Sequence, residues 1–159
     1  MKTSARNGLE GVELDAWRGF LLSHAAIRRR LEAELIALHG LTARDYEVLL
    51  FLSQEEDRML PMSALAERTM LTRSGVTRLI DGLCKSGLTE RVACPEDLRV
   101  SYAKLTDAGY ERLREAGRTH IAGVHAAFLD HFSEEEIQTL AELLGRLPKA
   151  PSAGECSVE

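Results

Sequence analysis

Along the first forty residues, apolar side chains return every three or four positions. Trp17, Phe20, Leu21, Ile27, Leu31, Leu35 and Leu38 form the series, with His24 in the same register. That period predicts an amphipathic helix over 13–39, ended by Gly40. A second helical pattern carries Tyr46, Leu49, Leu50 and Phe51. Thr42 supplies the hydroxyl that caps it, and it should stop near Gln54. Glu55-Glu56-Asp57-Arg58 reads as a polar loop, and Pro61 suits the first turn of the next helix.

Two short helical stretches follow, joined by a tight connection at Thr69-Met70-Leu71. Ala64, Leu65 and Ala66 give the first an apolar, small-residue face. Thr72 is placed to cap the second by accepting from backbone N–H groups at 74 or 75. Val76, Leu79, Ile80 and Leu83 recur at spacings of three and four and make one buried stripe. Arg73, Ser74, Thr77 and Arg78 fall largely off it and face outward. Gly87 then suits a left-handed position after the helix.

The period next shortens. Residues 88–93 read as a strand and 100–105 as its return partner, around the turn-rich tip Cys94-Pro95-Glu96-Asp97-Leu98-Arg99. A long helix begins at Thr106 and runs towards His131, with Leu113, Ile121, Val124 and Phe128 as its candidate buried positions. Ser133 and Glu136 form a capping box for a last helix with Ile137, Leu140, Leu144 and Leu147, stopped by Pro148. The expected fold is mainly α with a small β-wing: a winged helix-turn-helix at about 42–106, with N- and C-terminal dimerisation helices at about 13–39 and 106–147. Residues 12–147 read as one domain. Residues 1–11 read as a flexible arm, and 148–159, rich in Pro, Ala, Ser and Gly, as a disordered tail.

A winged helix-turn-helix puts its second helix into the DNA major groove and its wing beside it. The candidate DNA residues are therefore Thr72, Arg73, Ser74, Thr77 and Arg78, with Asp97 and Arg99 on the wing. Arginine donates two hydrogen bonds to guanine O6 and N7, or binds phosphate. Arg99 fits a narrow minor groove, with Asp97 holding it.

This stretch resembles the MarR family of bacterial transcription regulators. The resemblance rests on Leu65-Ala66-Glu67-Arg68, on the run from Leu71 to Asp81, on Lys85 to Arg91, on Asp97-Leu98-Arg99, and on Leu105-Thr106-Asp107-Ala108-Gly109. Two positions depart from the family wing: Leu98 stands at its middle arginine and Val100 at its glycine. The resemblance implies a two-fold dimer formed through terminal helices, double-stranded DNA as partner, and a small aromatic or carboxylate effector bound between the dimer helices and the winged unit. A homodimeric repressor released from a pseudo-palindromic operator is the function it implies.

Net charge adds a constraint. The chain of 159 residues carries a net −5. Between Pro61 and Lys104 there are seven basic and five acidic residues, a net +2, so the remainder holds −7. The acidity lies outside the candidate DNA-binding unit, and phosphate contacts act only within a Debye length, roughly 8–10 Å. No apolar run is long enough for a membrane span, and the N-terminus lacks a signal-peptide core, so a cytoplasmic location is expected.

Trp17, His24 and Arg28 align on one face of the first helix. An indole, an imidazole and a guanidinium in line suit an aromatic carboxylate, and Tyr46 is placed to line the same cavity. The alternative is structural: Trp17 packs in a dimer core and Arg28 pairs with Glu32. Cys84 and Cys94 are the candidates for a redox-responsive regulator of the same fold. Together with Cys156 they have no metal spacing and fit a reducing compartment. His120, His125 and His131, spaced by five and six, do not share a helical face, so neither metal nor cofactor is expected. No nucleophile–base pair or phosphate-cradling glycine loop suggests an enzyme. A winged-helix module that binds protein remains the reading of another class, opposed by Arg73, Arg78 and Arg99.

Overall fold

The computed structural model describes residues 8–93 and 100–148. Helix α1 (Gly11–His39) is 29 residues long. It starts inside the stretch expected to be an arm. Gly40 ends it at φ 67°, a left-handed turn that glycine adopts without strain. Helix α2 (Ala43–Ser53) opens on the expected cap: Thr42 accepts from the Asp45 N–H while the Asp45 carboxylate accepts from the Thr42 N–H. Tyr46, Val48, Leu49, Phe51 and Leu52 of α2 are buried, and with Leu65, Val76, Ile80 and Leu83 they make the core.

A short strand, β1 (Met59–Pro61), precedes α3 (Met62–Thr69). Sequence periodicity did not reveal it. Pro61 ends β1 and is the N-cap of α3, one step before the helical turn expected for it. Helix α4 (Arg73–Lys85) ends in a Schellman motif: Gly87 N–H donates to the Cys84 carbonyl and Leu88 N–H to that of Leu83. The φ of 71° at Gly87 makes this reversal possible.

Strands β2 (Thr89–Ala93) and β3 (Ser101–Leu105) are antiparallel, and β1 adds to the far side of β3. Ala103 pairs with Leu60 on one side and Arg91 on the other. Helix α5 (Asp107–Ala127) then starts at Thr106, whose hydroxyl accepts from Gly109 N–H and donates to the Gly87 carbonyl. A Cβ at Gly109 would lie 2.0 Å from the Leu88 carbonyl oxygen, so the Leu-Thr-x-x-Gly pattern is a close approach of helix to sheet.

Helix α5 stops at Ala127, four residues before the expected His131; Phe128 leaves helical geometry and a 3-10 turn covers Leu129–His131. Of its expected buried positions, Leu113 is buried and Val124 and Phe128 half-buried, whereas Ile121 is exposed. The buried face runs instead through Leu113, Ala116, Gly117 and Gly123; Gly117 faces the Tyr46 hydroxyl of α2, and at Gly123 α1 comes so close that a Cβ would meet Leu31 and Glu34 at 2.7 Å. Helix α6 (Glu134–Leu144) carries the expected Ser133–Glu136 capping box but buries no residue.

Candidate nucleic-acid interface

Helices α3 and α4 meet through a turn held from inside. Thr69 is fully buried and its hydroxyl donates to the Leu65 carbonyl at 2.6 Å. Met70 takes φ 53°, which lets the chain reverse in one residue at a cost of roughly 1–2 kcal/mol. Arg44 Nη1 donates to the Thr69 carbonyl at 3.2 Å and pairs with Glu47, tying α2 to the turn. Thr72 then caps α4 by accepting from Gly75 N–H at 3.1 Å.

Burial of Val76, Ile80 and Leu83 fixes the rotation of α4. It leaves Thr72, Arg73, Ser74, Thr77 and Arg78 together on the exposed face. The Thr72 and Ser74 hydroxyls lie 3.2 Å apart at the cap. The structure therefore brings the five helix candidates onto one surface, two guanidiniums among hydroxyls. Asp97, Arg99 and Cys94 lie outside the described residues. The wing stem leading to them is paired from Thr89↔Leu105 to Ala93↔Ser101.

Sequence reasoning missed how the wing is fastened to α4. Arg91 of β2 donates through Nε and Nη2 to Asp81 Oδ1, at 3.1 and 2.8 Å, and Nη2 reaches the Thr77 carbonyl at 3.4 Å. Both residues are in the family-like motifs, but a pair ten residues apart across a turn has no periodic signal.

The four effector candidates do not share one cavity. His24 and Arg28 line an apolar groove of about 480 Å³ with Phe20, Val124, Phe128 and Leu140. Tyr46 and Arg28 line a separate cavity of about 340 Å³ with Glu32, Arg44 and His120. Trp17 lines neither and stacks on Phe20, which stacks on His24, at centroid distances of 6.1 and 6.2 Å. One helix face does place 17, 24 and 28 in line, but eleven residues at 1.5 Å each spread them over roughly 16 Å.

His120 emerges in the cavity instead. Its ring lies 5.1 Å from that of Tyr46, its Nδ1 is buried without a hydrogen-bond partner among the described residues, and burial lowers its pKa. Cys84 is half-buried, with its sulfur 3.4 Å from the Thr89 hydroxyl. Among the described residues no three His, Cys, Asp or Glu side chains form a metal-holding group, and no helix is long and apolar enough to cross a membrane.

An antiparallel wing packed beside a capped, cation-bearing second helix defines the winged helix-turn-helix class. Residues 39–99 match the MarR family model. The chain is 31% identical over 108 residues to the HTH-type transcriptional repressor YetL of Bacillus subtilis (strain 168), a match covering 68% of this chain and 64% of YetL, just under two thirds of that protein. It is 29% identical over 109 residues to the regulator MhqR of the same organism, covering 69% and 73%. Among solved structures, AbsC, a MarR family regulator from Streptomyces coelicolor, is similar with 33% identity and a TM-score of 0.78, covering 87% of this chain and 93% of AbsC. Sco3205, a MarR family regulator of the same organism solved in complex with DNA, is similar with 30% identity and a TM-score of 0.79, covering 89% of each chain. The chain belongs to the MarR family of transcriptional regulators.

Proposed function

We propose that this chain is a homodimeric repressor that reads a pseudo-palindromic operator with α4 and is released by a small aromatic or carboxylate effector. The observation that carries the DNA reading is the exposed face of α4, where Arg73, Thr77 and Arg78 stand clear of a stripe locked into the core. Thr72 and Ser74 at the cap add hydroxyls for phosphate or base edges, and Asp97 with Arg99 extends the contact to the minor groove.

Dimerisation is supported by what the chain leaves uncovered. Trp17, Phe20, Leu21 and Leu22 of α1, with Leu143 and Leu144 of α6, are all exposed. An apolar surface of this extent calls for a partner, and a second copy supplies the same stripes. Effector release is supported by the cavity of Arg28, Tyr46 and His120, which lies where α1 and α5 meet α2. A carboxylate there would meet Arg28 and Arg44, and its binding shifts the protein only through a difference in affinity between the DNA-bound and released arrangements.

Genome-wide binding of the tagged protein should give peaks that share an inverted repeat. Protein and recovered duplex should then sediment as two chains per operator. Peaks without a shared repeat, or a monomer on the duplex, would refute the proposal.

A further inference from the structure

The cleft between α4 and the foot of the wing has no role in the reading above. It encloses about 350 Å³ and is lined by Ser63 of α3, Arg73 and Thr77 of α4, Arg91 of β2, and Val100 and Ser101 at the return strand. Two guanidiniums and three hydroxyls line it, with no carboxylate among the described residues. In a chain of net charge −5, such a hollow selects an anion. Arg73 and Thr77 belong at once to this cleft and to the exposed face of α4.

Arg91 gives the cleft its fixed cation. Asp81 and the Thr77 carbonyl engage its Nε and Nη2, and Nη1 has no hydrogen bond among the described residues. A guanidinium held along one edge loses little freedom when the other edge takes an oxyanion. The Ser63 and Ser101 hydroxyls can donate to the same group.

Resting on the DNA-binding reading, we infer that this cleft seats one DNA backbone phosphate beside the recognition helix, with Arg91 as its pre-oriented donor. The contact fixes the register of α4 in the groove and carries no base information.

The test is fluorescence anisotropy with a labelled random-sequence duplex long enough for two half-sites, titrated across salt concentrations. Arg91→Gln keeps the stem and an amide donor but removes the charge. It should weaken binding about tenfold and lower the salt slope by about one. Arg91→Lys should keep the wild-type slope. Asp81→Ala frees the cation and should not lower the slope. Arg30→Gln on α1 should match wild type in both affinity and slope. Equal losses in Arg91→Gln, Arg91→Lys and Asp81→Ala with no change of slope would mean that the pair is only a structural fastening, and would overturn the seat. An unchanged slope in Arg91→Gln overturns the seat alone. If wild-type protein fails to bind the duplex at low salt, the DNA-binding reading falls and the seat with it.

Discussion

In the winged unit Val48, Leu49, Leu52, Leu65 and Ile80 have no exposed surface, whereas in the terminal helices Leu22 and Leu38 are each 67% exposed and Trp17 is 49% exposed. The two regions carry apolar stripes of the same period. In the first, α2, α3, α4 and the sheet close over one another, and Thr42, Thr72 and Thr106 cap the helices. In the second, α1 buries only Leu35 and α6 buries nothing, although α1 ends on the left-handed Gly40 and α6 starts on the Ser133–Glu136 capping box. A periodic stripe thus specifies a helix and a contact face, but not whether the contact lies in the same chain. The winged unit's core is closed by Leu35 of α1 and by Leu113 and Ala116 of α5. The other apolar side chains of α1 and α6, among them Leu22, Leu38 and Leu144, stay exposed.

The sharpest way to break this contrast is a matched pair of truncations. Ile80→Ala should cost about 2–5 kcal/mol in urea unfolding, because it empties a closed core site. Leu144→Ala should hardly change the unfolding of dilute monomer, yet should weaken self-association in sedimentation equilibrium. Equal effects on both readouts would erase the distinction between the regions.

Two glycines sharpen it at the next level. An added Cβ at Gly109 meets the Leu88 backbone carbonyl, whereas at Gly123 it meets the ends of Glu34 and Leu31 at 2.7 Å. Gly109→Ala should cost about 1–3 kcal/mol or more, since backbone cannot step aside. Gly123→Ala should cost less, because flexible side chains can. Thermal melts of the two variants decide it.

A graded effect is expected with pH at the junction of the regions. Burial lowers the His120 pKa from its ordinary 6.5. Below pH 6.5 the unfolded chain takes up the proton before the folded one, so this site's contribution is complete above 6.5. It should fall as pH drops through that value and level off below the folded pKa. Arg28, Arg44, Glu32 and Glu47 line the same cavity. The difference in stability between wild type and His120→Gln, followed from neutral to acid pH, should show this slope. A pH-independent difference would show that burial of His120 has no such consequence. The smallest effect belongs to the exposed Arg30–Glu34 pair at 3.0 Å, where Arg30→Ala should change stability by less than about 0.5 kcal/mol.

Most of the winged unit, and the start of α6, was legible in the sequence because the signals are local. The Thr42 and Thr72 caps, the stripe from Val76 to Leu83, the turn at Gly87 and the Ser133–Glu136 box each lie within a few residues of what they control. The features that escaped are long-range. Strand β1 is three residues long and exists only because Leu60 pairs with Ala103. The break at Phe128 carries no proline or glycine; Phe128 and Phe132 meet edge to face at 5.5 Å across it. The exposed face of α4 could be read from 3.6-residue periodicity. The Asp81–Arg91 fastening and the Tyr46–His120 contact could not, because each joins elements that only the tertiary fold brings together.

The claim at the centre of this account is that α4 reads DNA. Its most direct test is a binding titration of wild type, Arg73→Ala and Arg78→Ala against the recovered operator and a scrambled duplex, with folding checked by circular dichroism. A guanidinium that reads a base should cost roughly 1–3 kcal/mol on the operator when removed, and much less on the scrambled duplex. Folded variants that bind the operator as tightly as wild type would contradict the account.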